Sequence, residues 1–435
     1  MPSILQAFYA LALLNLVLAA PHPAQKRSFK VERVANPNYV GRTPGAGTRA
    51  LIKAYNKHSM TLPSSLVEAL NSDTNPAFPE GNSKAATGST TAVAAAASGS
   101  GTAGTTGLVV AMPETGDTEY LSQINIGGQT MTMDFDSGSS DLWSLVFKLA
   151  NRFSIWSTKT LNPSKSKSFK MMQGANWSIS YGDGSGAAGN VGTDTVNIGG
   201  ATVTGQAIEM ATAVSRSFVA DTQSNGLVGL AFSKLNTVKP AQQKTFFDNA
   251  MSQGLAMPVF TADLRKASAG SYEFGNIDSS KFNGSLSWAA VNTTQGFWQF
   301  SSTKFTVGGG AATAVPNGQA IADTGTTLML ADPNIVNGYY SKVQGAVNDQ
   351  SVGGVTFPCS AKLPDLAVDV WRNYMAVVRG DDINYAPVDN TGKTCFGGLQ
   401  ATTSNLQIYG DIMFKSQFVV FNGGNNTLGM APHQG

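Results

Sequence analysis

The sequence predicts an all-β, bilobal fold, in which two similar β lobes with few short helices face each other across a cleft. Only 13% of the residues are charged and 47 are glycine, a composition that favours short strands and turns over long helices. The tripeptide Asp-Ser/Thr-Gly occurs twice, beginning at Asp136 and at Asp323. The two aspartates are 187 residues apart, about the length of one domain, which indicates an internal duplication.

Strand-like runs separated by glycine-rich turns extend from residue 117 onward. The predicted strands are 119–126, 129–136, 177–181, 193–198, 207–214 and the short run 320–322. The predicted helices are 50–58, 245–251 and 333–343. Each aspartate motif is followed by a second apolar motif, which ends at Gly229 after Asp136 and at Gly410 after Asp323. The similar offsets of 93 and 87 residues support the duplication.

The amino-terminal quarter has the organisation of a precursor. Residues 1–20 contain an apolar run that ends in small residues, which predicts a secretory signal peptide rather than the alternative, a membrane anchor. Residues 21–84 hold nine Lys/Arg and four Asp/Glu, and we interpret them as a basic pro-segment. Residues 85–107 form a flexible Ser/Thr/Ala/Gly linker, which is expected to contain the maturation site. An N-terminal lobe at 108–300 and a C-terminal lobe at 301–435 follow.

Composition excludes most rival hydrolase centres. The three histidines, His22, His58 and His433, lie near the ends of the chain, so a Ser-His-Asp or Cys-His centre in its body has no base. No metal site and no cofactor are expected, because zinc sites need clusters of His or Cys. In a secreted protein the only two cysteines, Cys359 and Cys395, are expected to form a disulfide that stabilises the fold by roughly 3–4 kcal/mol.

The same features predict the partners and the compartment. A basic leader could be a nucleic-acid arm, but residues 85–435, with 20 basic and 23 acidic residues, contain no basic patch to support that alternative. We therefore expect no nucleic acid and no membrane partner, and a secreted, extracellular monomer. Four sequons are candidate glycosylation sites in that compartment: Asn176, Asn283, Asn292 and Asn425.

Two carboxylates in a shared cleft predict a specific chemistry. At hydrogen-bonding distance they cannot both ionise, so they hold one proton between them and act as base and acid together. Such a centre hydrolyses peptides without a metal, a histidine or a covalent nucleophile. One Asp-Thr-Gly would indicate only an ordinary turn, but two copies in matched contexts favour a catalytic pair, Asp136 and Asp323.

Five motifs in a fixed order resemble those of a known family. They are Asp-Ser-Gly-Ser-Ser-Asp-Leu-Trp at 136–143, Trp-Ser-Ile-Ser-Tyr-Gly-Asp-Gly-Ser at 177–185, Asn-Gly-Leu-Val-Gly-Leu-Ala-Phe at 225–232, Asp-Thr-Gly-Thr-Thr at 323–327 and Tyr-Gly-Asp-Ile at 409–412. The chain resembles the pepsin-like aspartic endopeptidases, most closely the secreted fungal enzymes of the aspergillopepsin and penicillopepsin kind. The resemblance implies the bilobal pepsin-like aspartic protease fold, synthesis as a zymogen, and hydrolysis of protein and peptide substrates at acid pH by an activated water.

The resemblance also implies roles for the neighbours of the two aspartates. The residues that would support the pair are Ser137, Gly138, Ser139, Thr324, Gly325 and Thr326. Ser137 and Thr324 would cross-link the two loops through hydroxyl-to-backbone hydrogen bonds. The two glycines would let the backbone pass close to the carboxylates and donate N–H groups to them. Ser139 and Thr326 would hydrogen-bond the outer carboxylate oxygens and favour their ionisation.

The hairpin 177–189 resembles the flap that closes over the substrate in this family. The flap and substrate-binding residues that the resemblance implies are Tyr181, Gly182, Asp183, Ser185 and Trp143. Asp183 with Ser185 resembles the fungal members that accept Lys before the scissile bond. The alternative for Asp183 is that it only stabilises the turn.

In the leader, Lys57-His58 resembles the Lys-Tyr element whose lysine pairs with both catalytic aspartates in related zymogens. Lys57, together with Lys53 one helical turn earlier, is the candidate lock of the pro-segment, which would be an intramolecular inhibitor released by acid. For either lysine alone, a solvated helix face is the alternative.

One stretch and two rival functions remain open at the level of sequence. Residues 144–160 differ from the family pattern and are either a divergent loop or a translated intron fragment. A catalytically inactive binding or inhibitor protein is one rival, which the presence of both aspartates and both supporting hydroxyls disfavours. A glycoside hydrolase that uses the same two carboxylates is the other, which the flap and the twin motifs disfavour.

Overall fold

The structure is a computed structural model that describes residues 41–71, 104–114, 116–146, 160–180, 186–215, 223–370 and 374–434. The helices among them are α1 (Ala46–Lys57), α2 (Ser64–Asn71), α3 (Phe246–Ser252), α4 (Pro333–Tyr340), α5 (Gly380–Ile383) and α6 (Asp411–Phe414). Capping fixes where two of them begin. Thr245 accepts a hydrogen bond from the Asp248 N–H at the start of α3, and Asp332 accepts one from the Asn334 N–H at the start of α4.

Strands dominate the described residues. The first half contains β1 (Gly107–Pro113), β2 (Tyr120–Ile126), β3 (Gln129–Asp136), β4 (Leu142–Leu145), β5 (Lys170–Ser180), β6 (Gly186–Ile198), β7 (Ala201–Val214), β8 (Gly226–Gly229), β9 (Val259–Arg265), β10 (Ser268–Phe274) and β11 (Ser287–Ala290). The second half contains β12 (Gln299–Ser301), β13 (Lys304–Val307), β14 (Thr313–Ala314), β15 (Gln319–Ala322), β16 (Met329–Ala331), β17 (Val347–Asp349), β18 (Gly354–Pro358), β19 (Leu366–Val370), β20 (Tyr374–Val378), β21 (Asn384–Pro387), β22 (Thr394–Gly397), β23 (Leu399–Ala401), β24 (Leu406–Tyr409), β25 (Gln417–Asn422) and β26 (Thr427–Pro432).

Two groups of five strands have the same order and the same relative directions. The first is β2-β3-β8-β4-β7 and the second is β12-β15-β24-β16-β23. In both groups the successive pairs are antiparallel, parallel, antiparallel and parallel. The all-β, bilobal fold and the duplication predicted from the twin motifs are therefore confirmed.

The second motif of each lobe is the parallel partner of the strand that carries the aspartate. Asp136 lies opposite Gly229 in the β3–β8 pair. In the β15–β24 pair Ala322 lies opposite Tyr409, which places Asp323 beside Gly410. A Cβ atom on Gly229 would lie 2.5 Å from the Asp141 nitrogen, and one on Gly410 would meet the carbonyl oxygen of Thr326. Both positions need glycine because the aspartate loop crosses directly above them.

Strands from both halves of the chain meet in one large sheet. Among the described residues this sheet has the order β11-β26-β25-β9-β10-β1-β2-β3-β8-β4-β7-β6-β5, so the C-terminal hairpin β25–β26 joins strands of the first lobe. Stacked aromatic rings fill the core beneath it, with Phe260 and Phe421 4.3 Å apart between ring centroids. Two four-stranded sheets, β14-β13-β19-β20 and β17-β18-β22-β21, complete the second lobe.

The alternation of side chains along β3 decides which residues reach the cleft. Met131, Met133 and Phe135 are buried in the hydrophobic core. Asp134 and Asp136 therefore lie on the opposite face of the strand.

Helix α1 of the predicted pro-segment packs on the second lobe. Leu51 and Ala54 are part of the main hydrophobic core, and Gly47 lies against the ring of Phe396, where a Cβ atom would clash. The Tyr55 hydroxyl donates to the Ala401 carbonyl at 2.6 Å, and the Thr48 hydroxyl donates to the Val352 carbonyl at 2.9 Å. The leader is thus integrated into the fold by burial and by hydrogen bonds.

The remaining element predictions compare closely with the structure. Predicted strand 129–136 coincides with β3. Residues 177–180 of the predicted strand 177–181 and the whole of 193–198 and 207–214 are parts of the longer strands β5, β6 and β7. Trp177 pairs with Gly189 in the predicted hairpin. Residues 181–185, which follow β5 in the chain, lie outside the described residues.

Three further sequence predictions concern the disulfide, residues 144–160 and a membrane-spanning helix. Cys359 and Cys395 form a disulfide, as predicted. Of the unusual stretch 144–160, Ser144 and Leu145 belong to β4, and residues 147–159 lie outside the described part of the chain. No described helix has the length and apolar character needed to cross a membrane.

Candidate active site

The two aspartates lie where the two five-strand groups meet. Asp136 is the last residue of β3, and Asp323 directly follows β15. Their exposed fractions are 2% and 0%. The shared strand order brings the two aspartate loops together from opposite lobes, although 187 residues separate them in the chain.

Reciprocal hydrogen bonds join the two loops. The Ser137 N–H donates to the Thr324 hydroxyl at 3.0 Å, and the Thr324 N–H donates to the Ser137 hydroxyl at 2.9 Å. Each hydroxyl then donates across the interface, Ser137 to the Ala322 carbonyl at 2.9 Å and Thr324 to the Phe135 carbonyl at 2.7 Å. Each hydroxyl both donates and accepts, so these four bonds fix the separation of the carboxylates.

Each carboxylate is held by the same pair of donors in its own loop. The Gly138 N–H donates to Asp136 Oδ1 at 2.8 Å, and the Ser139 hydroxyl donates to Asp136 Oδ2 at 2.6 Å. In the second loop the Gly325 N–H donates to Asp323 Oδ1 at 3.0 Å, and the Thr326 hydroxyl donates to Asp323 Oδ2 at 2.6 Å.

The glycines also face the opposite carboxylate. A Cβ atom on Gly138 would lie 2.5 Å from Asp323 Oδ1, and one on Gly325 would lie 2.5 Å from Asp136 Cγ. Any side chain at either position would push the two carboxylates apart. The structure thus brings together all six residues that the sequence analysis assigned to the support of the pair.

Lys57 of helix α1 lies between the two carboxylates. Its Nζ is 2.7 Å from Asp136 Oδ1 and 2.9 Å from Asp323 Oδ1. Burial alone would lower the pKa of Lys57, but the two carboxylates hold it above its ordinary value. The amine is therefore charged, and it occupies the space in front of the pair.

His58 makes a contact that the sequence analysis did not assign. Its Nε2 lies 2.9 Å from Asp323 Oδ2 and 3.3 Å from the Thr326 hydroxyl, and the side chain is 5% exposed. Asp323 therefore faces two basic groups, whereas Asp136 faces Lys57 alone. The position of His58 directly after Lys57 was the only signal in the sequence for this role.

The two carboxylates are electrostatically unequal. Burial, and then the charge of Asp323, raise the pKa of Asp136, although Lys57 opposes them. Burial alone would raise the pKa of Asp323 as well, but Lys57 and His58 hold it well below its usual range. With the leader in place, Asp323 carries the negative charge more readily than Asp136.

Lys53 reaches a different acid. Its Nζ forms an ion pair with Glu119, the residue directly before β2. It does not contact either aspartate of the pair. The sequence analysis named Lys53 but did not identify Glu119 or the neighbouring Asp134.

A buried acidic pair supports the Asp136 loop from behind. The Asn236 amide donates to Asp141 Oδ1 at 2.9 Å and to Glu209 Oε1 at 2.8 Å. Asp141 and Glu209 are each 1% exposed. Burial, and then the neighbouring Asp141, raise the pKa of Glu209 well above its ordinary value.

Trp143 and the flap lie on the first lobe. The rings of Trp143 and Trp177 stack at 6.1 Å between centroids, which links β4 to the base of the hairpin β5–β6. The predicted flap residues Tyr181, Gly182, Asp183 and Ser185 lie outside the described residues. Across the described ranges we find no group of three or more His, Cys, Asp or Glu side chains that could hold a metal ion.

Comparison with known proteins agrees with this geometry. The family model described as eukaryotic aspartyl protease matches residues 119–433. An aspergillopepsin A-like aspartic endopeptidase of Aspergillus fumigatus is 44% identical over 98% of this chain and 99% of its own length. Endothiapepsin of Cryphonectria parasitica is 43% identical over 93% of this chain and 90% of its own. Aspergillopepsin-1 of Aspergillus oryzae is 48% identical over 75% and 79%.

The bonds between the two loops predict a specific stability effect. Ser137→Ala leaves the buried Thr324 N–H without its acceptor, so we expect the free energy of unfolding to fall by about 1–3 kcal/mol. Ser137→Thr keeps the hydroxyl and is the matched control, with a smaller loss. Urea unfolding at one pH measures both, and equal stability of the two variants would contradict the assigned role of the hydroxyl.

The acidic pair behind the loop predicts a pH dependence. Because the folded-state pKa of Glu209 is raised, its contribution to stability is complete below the ordinary glutamate pKa of about 4.3. That contribution is lost as the pH rises through the folded pKa. Glu209→Gln removes this loss, so the variant should gain stability relative to the parent between pH 4 and pH 7. Thermal unfolding midpoints that remain parallel across this range would argue against it.

Proposed function

The chain belongs to the eukaryotic aspartyl protease family and is an aspartic endopeptidase, and on that premise we propose that Asp136 and Asp323 are its catalytic pair. The observation that carries the proposal is the arrangement of two buried carboxylates, cross-linked through Ser137 and Thr324 and each held by a glycine N–H and a hydroxyl. We further propose that the protein is secreted, is made as a zymogen and acts at acid pH.

The pair holds one proton when the leader is absent, because two adjacent carboxylates do not both ionise. The ionised carboxylate accepts a proton from a water molecule, whose oxygen bonds to the carbonyl carbon of the scissile peptide. The protonated carboxyl gives its proton to the carbonyl oxygen, which produces a tetrahedral diol. The first carboxyl then protonates the amide nitrogen, the C–N bond breaks, and a diol hydroxyl returns a proton to the second carboxylate.

Proteins and peptides are the proposed substrates, since they are what an aspartic endopeptidase hydrolyses. The hairpin β5–β6 is the proposed flap, with Tyr181 at its tip. Asp183 is proposed to allow a lysine before the scissile bond in addition to large apolar residues.

The leader is proposed to inhibit the enzyme by occupying the catalytic pair. Lys57 fills the position that the attacking water and the scissile carbonyl need, and helix α1 is anchored on the second lobe by burial. A further leader cation, Arg42, lies 3.5 Å from the buried Asp117. Acid releases the leader because protonation of the carboxylates removes the charges that hold these cations.

The proposed catalytic role predicts loss of activity in two variants. Asp136→Asn or Asp323→Asn removes one partner of the proton exchange, so kcat/KM should fall about a thousandfold or more. The measurement is hydrolysis of a fluorogenic peptide at acid pH with and without pepstatin. Asp381→Asn, an exposed acid of helix α5, is the matched control. Full activity of Asp136→Asn would contradict the proposed catalytic role.

The contacts of the leader predict the pH at which it is released. His58→Phe removes one donor to Asp323, so that carboxylate takes up a proton more readily. Activation should then begin at a pH higher by about half a unit or more. Lys57→Met should shift it further, and Lys53→Met, one helical turn away, should shift it least. Processing followed by gel electrophoresis across a pH series measures this order, and identical profiles for Lys57→Met and the parent would refute it.

A further inference from the structure

Three of the four sequons surround one edge of the large sheet. Within the described residues β11 is an edge strand of that sheet, and β26 is its neighbour. Asn283 lies four residues before β11, and Asn292 lies two residues after it. Asn425 lies in the turn between β25 and β26, where the Val291 N–H donates to the carbonyl of Asn426 at 2.9 Å. The three asparagines therefore bracket both ends of β11.

The edge at β11 lacks the usual protection against pairing with another chain. Proteins normally blunt an exposed sheet edge with charged side chains, proline, a bulge or a short strand length. Neither a charged residue nor a proline occurs at 282–303, and the paired hairpin has no charged residue at 416–432. The register of β11 on β26 contains no bulge. Trp288 is 40% exposed, and Ala290 on the same face is also exposed. Apart from its short length, the edge is therefore open to a second strand.

The side chains of the three asparagines are suited to carry a sugar. All three are exposed. The Asn292 side-chain oxygen accepts from the N–H two residues later at 3.0 Å, and the Asn425 oxygen accepts from the Thr427 hydroxyl at 2.7 Å. The Asn283 amide donates to the His433 carbonyl at 3.0 Å, which uses one of its two N–H hydrogens. Each amide nitrogen can therefore exchange one hydrogen for a sugar while these hydrogen bonds remain.

The fourth sequon has different surroundings. Asn176 lies on β5, the strand at the opposite end of the same sheet. Its N–H donates to the Lys239 carbonyl at 3.0 Å, and its own carbonyl accepts from the Lys239 N–H at 2.8 Å. The edge is therefore already paired at this point, and the pairing residue is charged. Asn176 provides an internal comparison for the other three sequons.

We propose that Asn283, Asn292 and Asn425 carry N-linked oligosaccharides that cover the edge at β11 and prevent two copies of the protein from pairing there. In the transfer, the asparagine side-chain nitrogen bonds to the anomeric carbon of N-acetylglucosamine in a lipid diphosphate-linked oligosaccharide. The bond between that carbon and the diphosphate oxygen breaks, the lipid diphosphate leaves, and the nitrogen gives up one proton. The inference rests on the proposed secretion and is independent of the proposed catalytic pair.

The test uses the full-length precursor, secreted by a fungal host and kept at pH 7. Mass spectrometry of its peptides should find a glycan on each of the three asparagines. Endoglycosidase H then trims each glycan to a single sugar on the folded protein without changing its sequence. Sedimentation velocity over a concentration series measures the monomer fraction, which we expect to fall after trimming. The triple variant Ser285→Ala, Thr294→Val, Thr427→Val, which lacks the three sequons, should show the same fall.

Lysine substitutions test whether the edge itself is responsible. In the triple variant, Ala290→Lys places a charge on β11 and should restore the monomer. The matched control is Ala314→Lys, at an exposed position of the edge strand β14 in another sheet, and it should not restore the monomer. Ser178→Ala, which removes the sequon at Asn176, should leave the monomer fraction of the parent unchanged.

Three results would overturn the inference. They are unmodified asparagines at all three positions of the secreted protein, a trimmed protein that stays monomeric, and association that Ala290→Lys does not reverse. Absence of the protein from the medium would overturn the proposed secretion and this inference with it. None of these measurements depends on peptide hydrolysis, so an inactive catalytic pair would leave the outcome unchanged.

Discussion

The reciprocal hydrogen bonds between Ser137 and Thr324 are the constraint on which the rest of the structure depends. Each loop supplies the N–H and the hydroxyl that the other loop needs, so neither loop is satisfied alone. Because the two lobes have the same strand order, each of them presents one such loop to the other. The glycines at 138, 229, 325 and 410 follow from this arrangement, because a Cβ atom at any of them would meet the opposing carboxylate or the backbone of a loop.

Several carboxyl groups are buried around this junction, which disfavours their ionised forms. Cations of the leader stabilise those ionised forms. Lys57 and His58 face Asp136 and Asp323, Lys53 faces Glu119, and Arg42 faces Asp117. The net positive charge of the leader is therefore matched by the acidic residues that it contacts. In the proposed activation protons replace these charges, and burial already raises the pKa values of Asp134 and Asp136.

The sequence was most informative where local patterns and the internal repeat coincided. The bounds of β3, the positions of both aspartates and the recurrence of a second motif after each of them could all be predicted from spacing and turn residues, whereas the pairing of that motif with the aspartate strand is seen only in the structure. The ion pair of Lys53 with Glu119 and the contact of His58 with Asp323 could not. They join residues that are far apart in the chain. They form because helix α1 packs on the second lobe, and local sequence patterns do not predict that packing. The sequence analysis did not identify Asp134. It alternates with Phe135 along β3, so it lies buried on the face of the strand that carries Asp136.

The most direct test of the account is the pH dependence of kcat/KM for the processed enzyme between about pH 2 and pH 7. Two carboxylates that share one proton titrate as a pair with two apparent pKa values, and only the singly protonated form is active. The account predicts a bell-shaped profile whose two limbs both belong to Asp136 and Asp323. A profile with a single ionisation, in which activity stays constant on one side of it across the whole range, would contradict the claim that the two aspartates act as one catalytic pair.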